Sequence, residues 1–199
     1  MDRRKLLIVS LPALFRPGLG RAAGGFQPGK PSDYPSFQRI GPLEVAAVKY
    51  ESDAEVADLF GKVNPNEYGV LPVLLILENK GKETVMLDRM RVLYQFKSQQ
   101  VEPAPPSDLP YLAGGPKRPN TGPRYPVPIP LPKKKNPLAA VEFETRAFGA
   151  KTLLPGEVVH GFFYFEARHQ KNAFLYITGW KEGTRDLFFA EVPLDSPKG

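Results

Sequence analysis

The sequence predicts an all-β protein: an antiparallel sandwich of about seven strands, with one short helix and a long proline-rich insertion. Short apolar segments alternate with turn sequences, and residues 70–78 are apolar on both faces, as expected for a central strand. Twelve of the 23 prolines lie within residues 102–137, which therefore cannot form a regular helix or a central strand. We expect one domain over residues 37–199 that carries this insertion.

Each predicted element follows from its local pattern. Period-2 alternation or a short apolar run bounded by turn residues indicates each strand. Ser52 with Glu55 forms a capping box, and Gly61 ends the short helix that follows. The predicted strands are residues 43–48, 70–78, 89–96, 141–149, 157–167, 173–180 and 185–194.

Two segments carry a resemblance to a known family. The apolar strand and Asn-x-Gly turn of "LENKGKETVML", and the Pro-Gly turn and aromatic strand of "LLPGEVVHGFFYFE", resemble bacterial extracytoplasmic immunoglobulin-like domains. The resemblance covers Leu43 to Phe96 and Val141 to Leu194. It implies an immunoglobulin-like β-sandwich of a secreted protein, and it implies no activity.

The first 22 residues are typical of an export signal. A basic cluster that includes Arg3 and Arg4 precedes an apolar run, and small residues follow. The arginine pair resembles the twin-arginine export motif. The alternative interpretation of these 22 residues is an ordinary N-terminal strand or helix. Because the apolar run is shorter than the ~20 residues that a membrane-spanning helix needs, we expect no stable membrane anchor after cleavage. The predicted location is extracytoplasmic, periplasmic or secreted, with residues 23–36 as a flexible lead-in.

The charge distribution and the absence of cysteine exclude several classes of function. The formal net charge is +6, but residues 1–22 alone carry five basic residues and one acidic residue. The body therefore lacks the charge needed to follow a phosphate backbone, and we predict no nucleic-acid partner. The absence of cysteine excludes disulfides, thiolate catalysis and cysteine-ligated metals. No cofactor is predicted.

Both histidines lie in or beside one predicted strand. By alternation, Val159, Phe163 and Phe165 face the core, which leaves His160 on the other face and His169 in the following turn. The two histidines do not share a face, so we predict solvated side chains and no metal site.

The same alternation predicts an aromatic outer surface, provided that the last three strands are neighbours. Trp180 is also placed on the outside. Three interpretations stay open: the insertion covers the surface, an envelope protein or a second copy binds it, or sugar rings stack on it. Sugar is the weakest of these, since amides and carboxylates look sparse there. The outer surface comprises Phe162, Tyr164, Phe174, Tyr176, Leu187 and Phe189.

The predicted function is an exported, non-catalytic binding, scaffold or assembly module that uses this aromatic surface or an open sheet edge. The alternative is a carboxylate-dependent hydrolase of an envelope polysaccharide. Its candidate pair is Glu142 and Glu144, which would lie on one face of a strand ~7 Å apart.

Overall fold

A computed structural model of the chain describes residues 26–61, 63–112, 138 and 141–195. The all-β class is confirmed, but these residues form thirteen strands in three antiparallel sheets rather than about seven strands. No helix among them is both long and apolar enough to cross a membrane. The strands are β1 (Gln38–Ile40), β2 (Leu43–Lys49), β3 (Leu71–Asn79), β4 (Val85–Met86), β5 (Arg91–Phe96), β6 (Gln99–Val101), β7 (Pro103–Ala104), β8 (Thr152–Leu153), β9 (Val158–Phe165), β10 (Phe174–Thr178), β11 (Lys181–Glu182), β12 (Arg185–Asp186) and β13 (Ala190–Pro193).

The first sheet has the strand order β1-β2-β3-β9-β7, with β3 at its centre as the sequence predicts. Every residue of β3 is buried, because both faces of this sheet are covered. Odd-numbered residues such as Val73 and Leu75 face one apolar cluster, and even-numbered residues such as Leu74 and Ile76 face another. The continuous apolar run of this strand is therefore explained by two cores rather than one.

The second sheet (β13-β10-β5-β6) and the third (β12-β11-β4-β8) pack on one face of the first. The apolar residues between the three sheets form what we call the inner cluster. The alternation of residues 89–96 predicts that Met90, Val92, Tyr94 and Phe96 face inward. This is confirmed, since Val92 and Tyr94 are 3% and 2% exposed, and Met90 and Phe96 pack against the same cluster. The inner cluster includes Val45, Val73, Leu75, Val85, Tyr94, Leu153, Leu175, Ile177, Trp180 and Val192.

Helices cover the opposite face of the first sheet. Helix α1 (Asp53–Phe60) begins at the predicted capping box, where Ser52 accepts a hydrogen bond from the Glu55 backbone, and it ends at Gly61. It belongs to a covering layer together with α2 (Val141–Arg146) and the 3-10 helix Pro106–Tyr111. The buried residues beneath this layer form the outer cluster: Val56, Leu59, Phe60, Val70, Leu74, Ile76, Leu109, Leu138, Phe143, Phe162 and Tyr164.

The predicted strand over residues 141–149 is wrong, because residues 141–146 are α2. Phe143 is 1% exposed and stacks on Phe60 of α1, with ring centroids 4.8 Å apart. Ala147, four residues further on, packs against the same cluster. This spacing fits a helical face as well as the alternating pattern fits a strand, and contact with α1 selects the helix.

The predicted final strand over residues 185–194 is two strands, β12 and β13, separated by residues 187–189. Alternation along residues 185–194 predicts that Phe188, Ala190, Val192 and Leu194 face inward. Phe188 is instead 84% exposed, whereas the other three are buried as predicted. Two further 3-10 helices span Pro31–Asp33 and Pro65–Tyr68. Of the predicted lead-in, residues 26–36 are described, with Pro31 and Ser36 buried. The export signal, with Arg3 and Arg4, and residues 113–137 of the insertion lie outside the described residues.

Candidate functional site

The five aromatic residues proposed as one binding surface lie in two separate places. The expectation that their strands are neighbours is wrong, because β9 pairs with β3 and β7 in the first sheet, whereas β10 pairs with β5 and β13 in the second. Phe162 and Tyr164 face away from the inner cluster as predicted, but they are only 2% and 1% exposed within the outer cluster. They are therefore core residues.

Phe162 and Tyr164 are covered from several directions. The ring of Phe162 lies 5.3 Å from that of Phe60 and 5.7 Å from that of Phe26. The Tyr164 hydroxyl donates a 2.9 Å hydrogen bond to the Phe143 carbonyl, which ties α2 to β9, and burial raises the pKa of this hydroxyl. Leu109, from the described part of the insertion, belongs to the same cluster, which agrees with the interpretation that the insertion covers these two aromatics.

Trp180 was also expected on the outside and is fully buried in the inner cluster. Strand β10 ends at Thr178, and Gly179 has a φ of +81°, a left-handed conformation that breaks the alternation. Trp180 therefore turns inward, and its indole N–H donates a 2.7 Å hydrogen bond to the Phe188 carbonyl. A glycine directly before the tryptophan was the sequence signal for this change.

Of the other four predicted residues, Leu187 packs against the inner cluster, so its outward placement is wrong. The remaining three lie at the surface, on the outer side of the second sheet. Phe174 and Tyr176 are half-buried and alternate with Leu175 and Ile177 of the inner cluster, and Phe189 is 53% exposed. The rings of Tyr176 and Phe189 lie 5.3 Å apart with an interplanar angle of 33°. We call this surface the outer aromatic face; it comprises Leu93, Phe174, Tyr176, Phe189 and Pro193.

Polar side chains lie directly beside these rings in the strand register. Phe174 is opposite Gln95 on β5 and Pro193 on β13. Tyr176 is opposite Leu93 on β5 and Glu191 on β13. Since residues directly opposite each other share one face of an antiparallel sheet, each ring has an apolar neighbour on one side and a polar neighbour on the other.

A depression of about 1130 Å³ adjoins this face, where β1 and β2 of the first sheet meet β13 of the second. The Gln38 side chain bridges the two sheets by donating a 2.6 Å hydrogen bond to the Glu191 carbonyl. We call this feature the edge depression. Phe174 and Pro193 belong to both features, and Glu191 of the lining is directly opposite Tyr176 of the face, so the two form one continuous surface. The lining is Gln38, Lys49, His169, Lys171, Asn172, Ala173, Phe174, Glu191, Pro193 and Asp195.

The Asp195 carboxylate organises one end of the edge depression. Lys49 Nζ lies 2.7 Å and His169 Nε2 3.0 Å from its Oδ1, and the Asn172 backbone N–H donates to Oδ2 at 2.7 Å. Partial burial alone would raise the pKa of Asp195, but these hydrogen bonds outweigh it and hold the pKa well below its ordinary value. Lys49 also pairs with Glu51 at 2.8 Å.

His169 is not the solvated residue that the sequence predicts, since its side chain is 6% exposed. Its ring packs edge-on against Tyr94, and its buried Nδ1 has no hydrogen-bond partner among the described residues. His160 is exposed, as predicted, on the far side of the first sheet. The two histidines do not come together, and the described residues contain no cluster of three or more His, Asp or Glu able to hold a metal ion.

The geometry proposed for a carboxylate pair is absent at Glu142 and Glu144. They lie two residues apart in α2, so their side chains point about 200° apart around the helix rather than along one strand face. Glu142 instead lines a small depression of about 280 Å³ with His160 and Arg146, and Glu144 is not part of that lining.

Another pair of carboxylates does lie side by side. Glu44 of β2 and Glu78 of β3 are directly opposite, with each side chain 5% exposed. Lys80 Nζ lies 2.6 Å from Glu78 and 3.8 Å from Glu44, and Arg39 also binds Glu44. Because both carboxylates are covered and paired with cations, they are not accessible to a substrate.

Sequence reasoning missed the edge depression. Its parts come from chain segments more than 100 residues apart, and neither Lys49 nor Asp195 lies in a recognisable motif. The one available signal was the alternation of β13, which places Glu191 on the same face as Pro193.

Comparison with known proteins identifies no relative: no protein-family model, no curated protein and no solved structure matches this chain.

Proposed function

We propose that the chain is an exported, non-catalytic binding module of the immunoglobulin-like sandwich type. It holds a component of the cell envelope on the outer aromatic face and the adjoining edge depression. The observation that carries this proposal is the continuity between the aromatic rings at the surface of the second sheet and the edge depression. Soluble monomers seldom leave apolar patches of this kind uncovered unless a ligand or partner uses them.

The face is a better binding element than the neighbouring sheet edge at β13. Strand addition needs free backbone groups along an edge strand, and β13 is an edge strand of the second sheet. At its centre, however, the Gln38 amide already occupies the Glu191 carbonyl. An incoming strand would have to displace this hydrogen bond, whereas a ligand on the face would leave it intact.

No observation favours the alternative of a carboxylate-dependent hydrolase. The expected Glu142 and Glu144 pair is separated around a helix, and the Glu44 and Glu78 pair is buried beneath its cationic partners. Hydrolysis by two carboxylates requires both groups to flank one bond of the substrate.

The proposal is tested by expressing the full chain in a bacterial host and fractionating the cells. We expect a mature form that lacks about the first 22 residues and sediments with the envelope. A Phe174→Ala/Tyr176→Ala variant should be exported equally well but remain soluble. Tyr111→Ala is the matched control, because this tyrosine is 54% exposed on the opposite side of the first sheet.

The outcomes separate the two parts of the proposal. A full-length product in the cytoplasm contradicts export. Equal sedimentation of the wild type and the double variant contradicts a role for the face. Loss of export in an Arg3→Lys/Arg4→Lys variant would assign the twin-arginine route.

A further inference from the structure

We propose that the ligand of the outer aromatic face is a neutral saccharide chain, with consecutive sugar rings stacked on Phe174 and Tyr176. This inference rests on the proposed binding function and specifies the chemistry of its ligand. Sugar was the weakest interpretation of the sequence because few amide and carboxylate side chains were expected beside the rings. In the structure, an amide lies beside Phe174 and a carboxylate lies beside Tyr176.

The spacing of the rings suits a linear polymer. Phe174 and Tyr176 are two residues apart on one strand, so they project from the same face ~7 Å apart. Two side chains that share one face along a strand can contact neighbouring units of one extended chain. Phe189 lies against Tyr176 at 5.3 Å and extends the platform beyond the strand. The apolar C–H face of a pyranose packs on such rings, with its hydroxyls directed sideways.

Hydrogen-bonding groups lie where those hydroxyls would be. Gln95 is directly opposite Phe174, and Glu191 is directly opposite Tyr176. The Gln95 Oε1 already accepts a 3.4 Å hydrogen bond from Gln100. A protein partner with an apolar core would still bury the Gln95 amide N–H groups and the Glu191 carboxylate without compensation, at a cost for each unsatisfied group. Sugar hydroxyls both donate and accept hydrogen bonds, so they satisfy both side chains. This difference favours a saccharide over an apolar protein surface.

The charges favour a neutral ligand. In the edge depression, Lys49 is already paired with Asp195 and Glu51, and His169 is hydrogen-bonded to Asp195. Lys171 and Glu191 have no ion-pair partner among the described residues of the lining, and their opposite charges cancel. A polyanion or polycation would therefore gain no net attraction from this surface.

The test uses the purified mature chain and washed bacterial envelopes, treated either with a protease or with periodate, which cleaves sugar vicinal diols. We expect sedimentation with the envelopes to survive the protease and to be lost after periodate. Phe174→Ala and Tyr176→Ala should each weaken binding about tenfold, as loss of one stacking contact implies. Tyr176→Phe should retain binding because it keeps the ring, and Tyr111→Ala should match the wild type.

Failure of this inference is distinguishable from failure of the proposed function. Binding that depends on Phe174 and Tyr176 but is lost after protease and kept after periodate would identify a protein ligand. That result overturns the saccharide inference and leaves the binding module intact. Binding that is indifferent to both residues would overturn both proposals. A larger loss in Tyr176→Phe than in Phe174→Ala would contradict stacking as the mode of recognition.

Discussion

Replacing Phe162 by alanine removes a ring from the centre of the outer cluster. The side chain is 2% exposed and contacts the rings of Phe26, Tyr50 and Phe60, with centroids 5.3 to 5.7 Å away. Burial of about 150 Å² of phenylalanine surface at about 25 cal/mol per Å² stabilises the fold by about 4 kcal/mol. Alanine keeps about 0.8 kcal/mol of this through its methyl group, so the transfer loss is about 3 kcal/mol.

The cavity left by the ring adds to this loss, so we expect Phe162→Ala to lower the free energy of unfolding by about 3–5 kcal/mol. Equilibrium unfolding in guanidinium chloride, followed by circular dichroism, measures the change. Tyr176→Ala is the control, because its half-buried ring lies on the outer aromatic face and should cost less than Phe162→Ala. A loss below about 1 kcal/mol for Phe162→Ala would refute the claim that helices cover this face of the first sheet.

Two further predictions concern single positions. Gly161→Ala should prevent stable folding, because a Cβ at this position would lie 2.4 Å from the Phe148 Cα. A purified variant with the thermal stability of the wild type would contradict this close approach of the two backbones. Asp195→Asn should lower the free energy of unfolding by about 1–2 kcal/mol at pH 7, since it removes the ionised acceptor of Lys49 and His169. The pKa of Asp195 is lower in the folded chain than its ordinary 3.8. The extra stability of the wild type over Asp195→Asn is therefore fully present above pH 3.8 and is lost as the pH falls below this value. Denaturant titrations of both proteins at several pH values measure this stability difference. A difference that grows on acidification would contradict the prediction.

The sequence was sufficient for the elements whose signals are local. The capping box at Ser52 and the stop at Gly61 fix α1, since both depend on contacts within a few residues. The doubly apolar run of β3 indicated a central strand, because only a strand covered on both faces has that pattern.

Long-range pairing was not available from the sequence. The alternation of β9 correctly placed Phe162 and Tyr164 on the face opposite to Phe165. Alternation does not reveal which elements cover that face. In this fold, helices α1 and α2 cover it. The strand pattern of residues 141–149 concealed α2, so an aromatic core face was interpreted as an open surface. Of the rest of the predicted surface, Phe174 and Tyr176 lie in the second sheet, where they are half-buried, and Phe189 lies in the segment between β12 and β13.

The most direct test of this account compares stability and envelope binding in the same two variants. We predict that Tyr176→Ala loses binding while its unfolding midpoint stays close to that of the wild type. Phe162→Ala should lose stability but, at a temperature where it is still folded, bind envelopes as the wild type does. The opposite result, with binding lost in folded Phe162→Ala and kept in Tyr176→Ala, would place the binding surface on the first sheet and contradict the account.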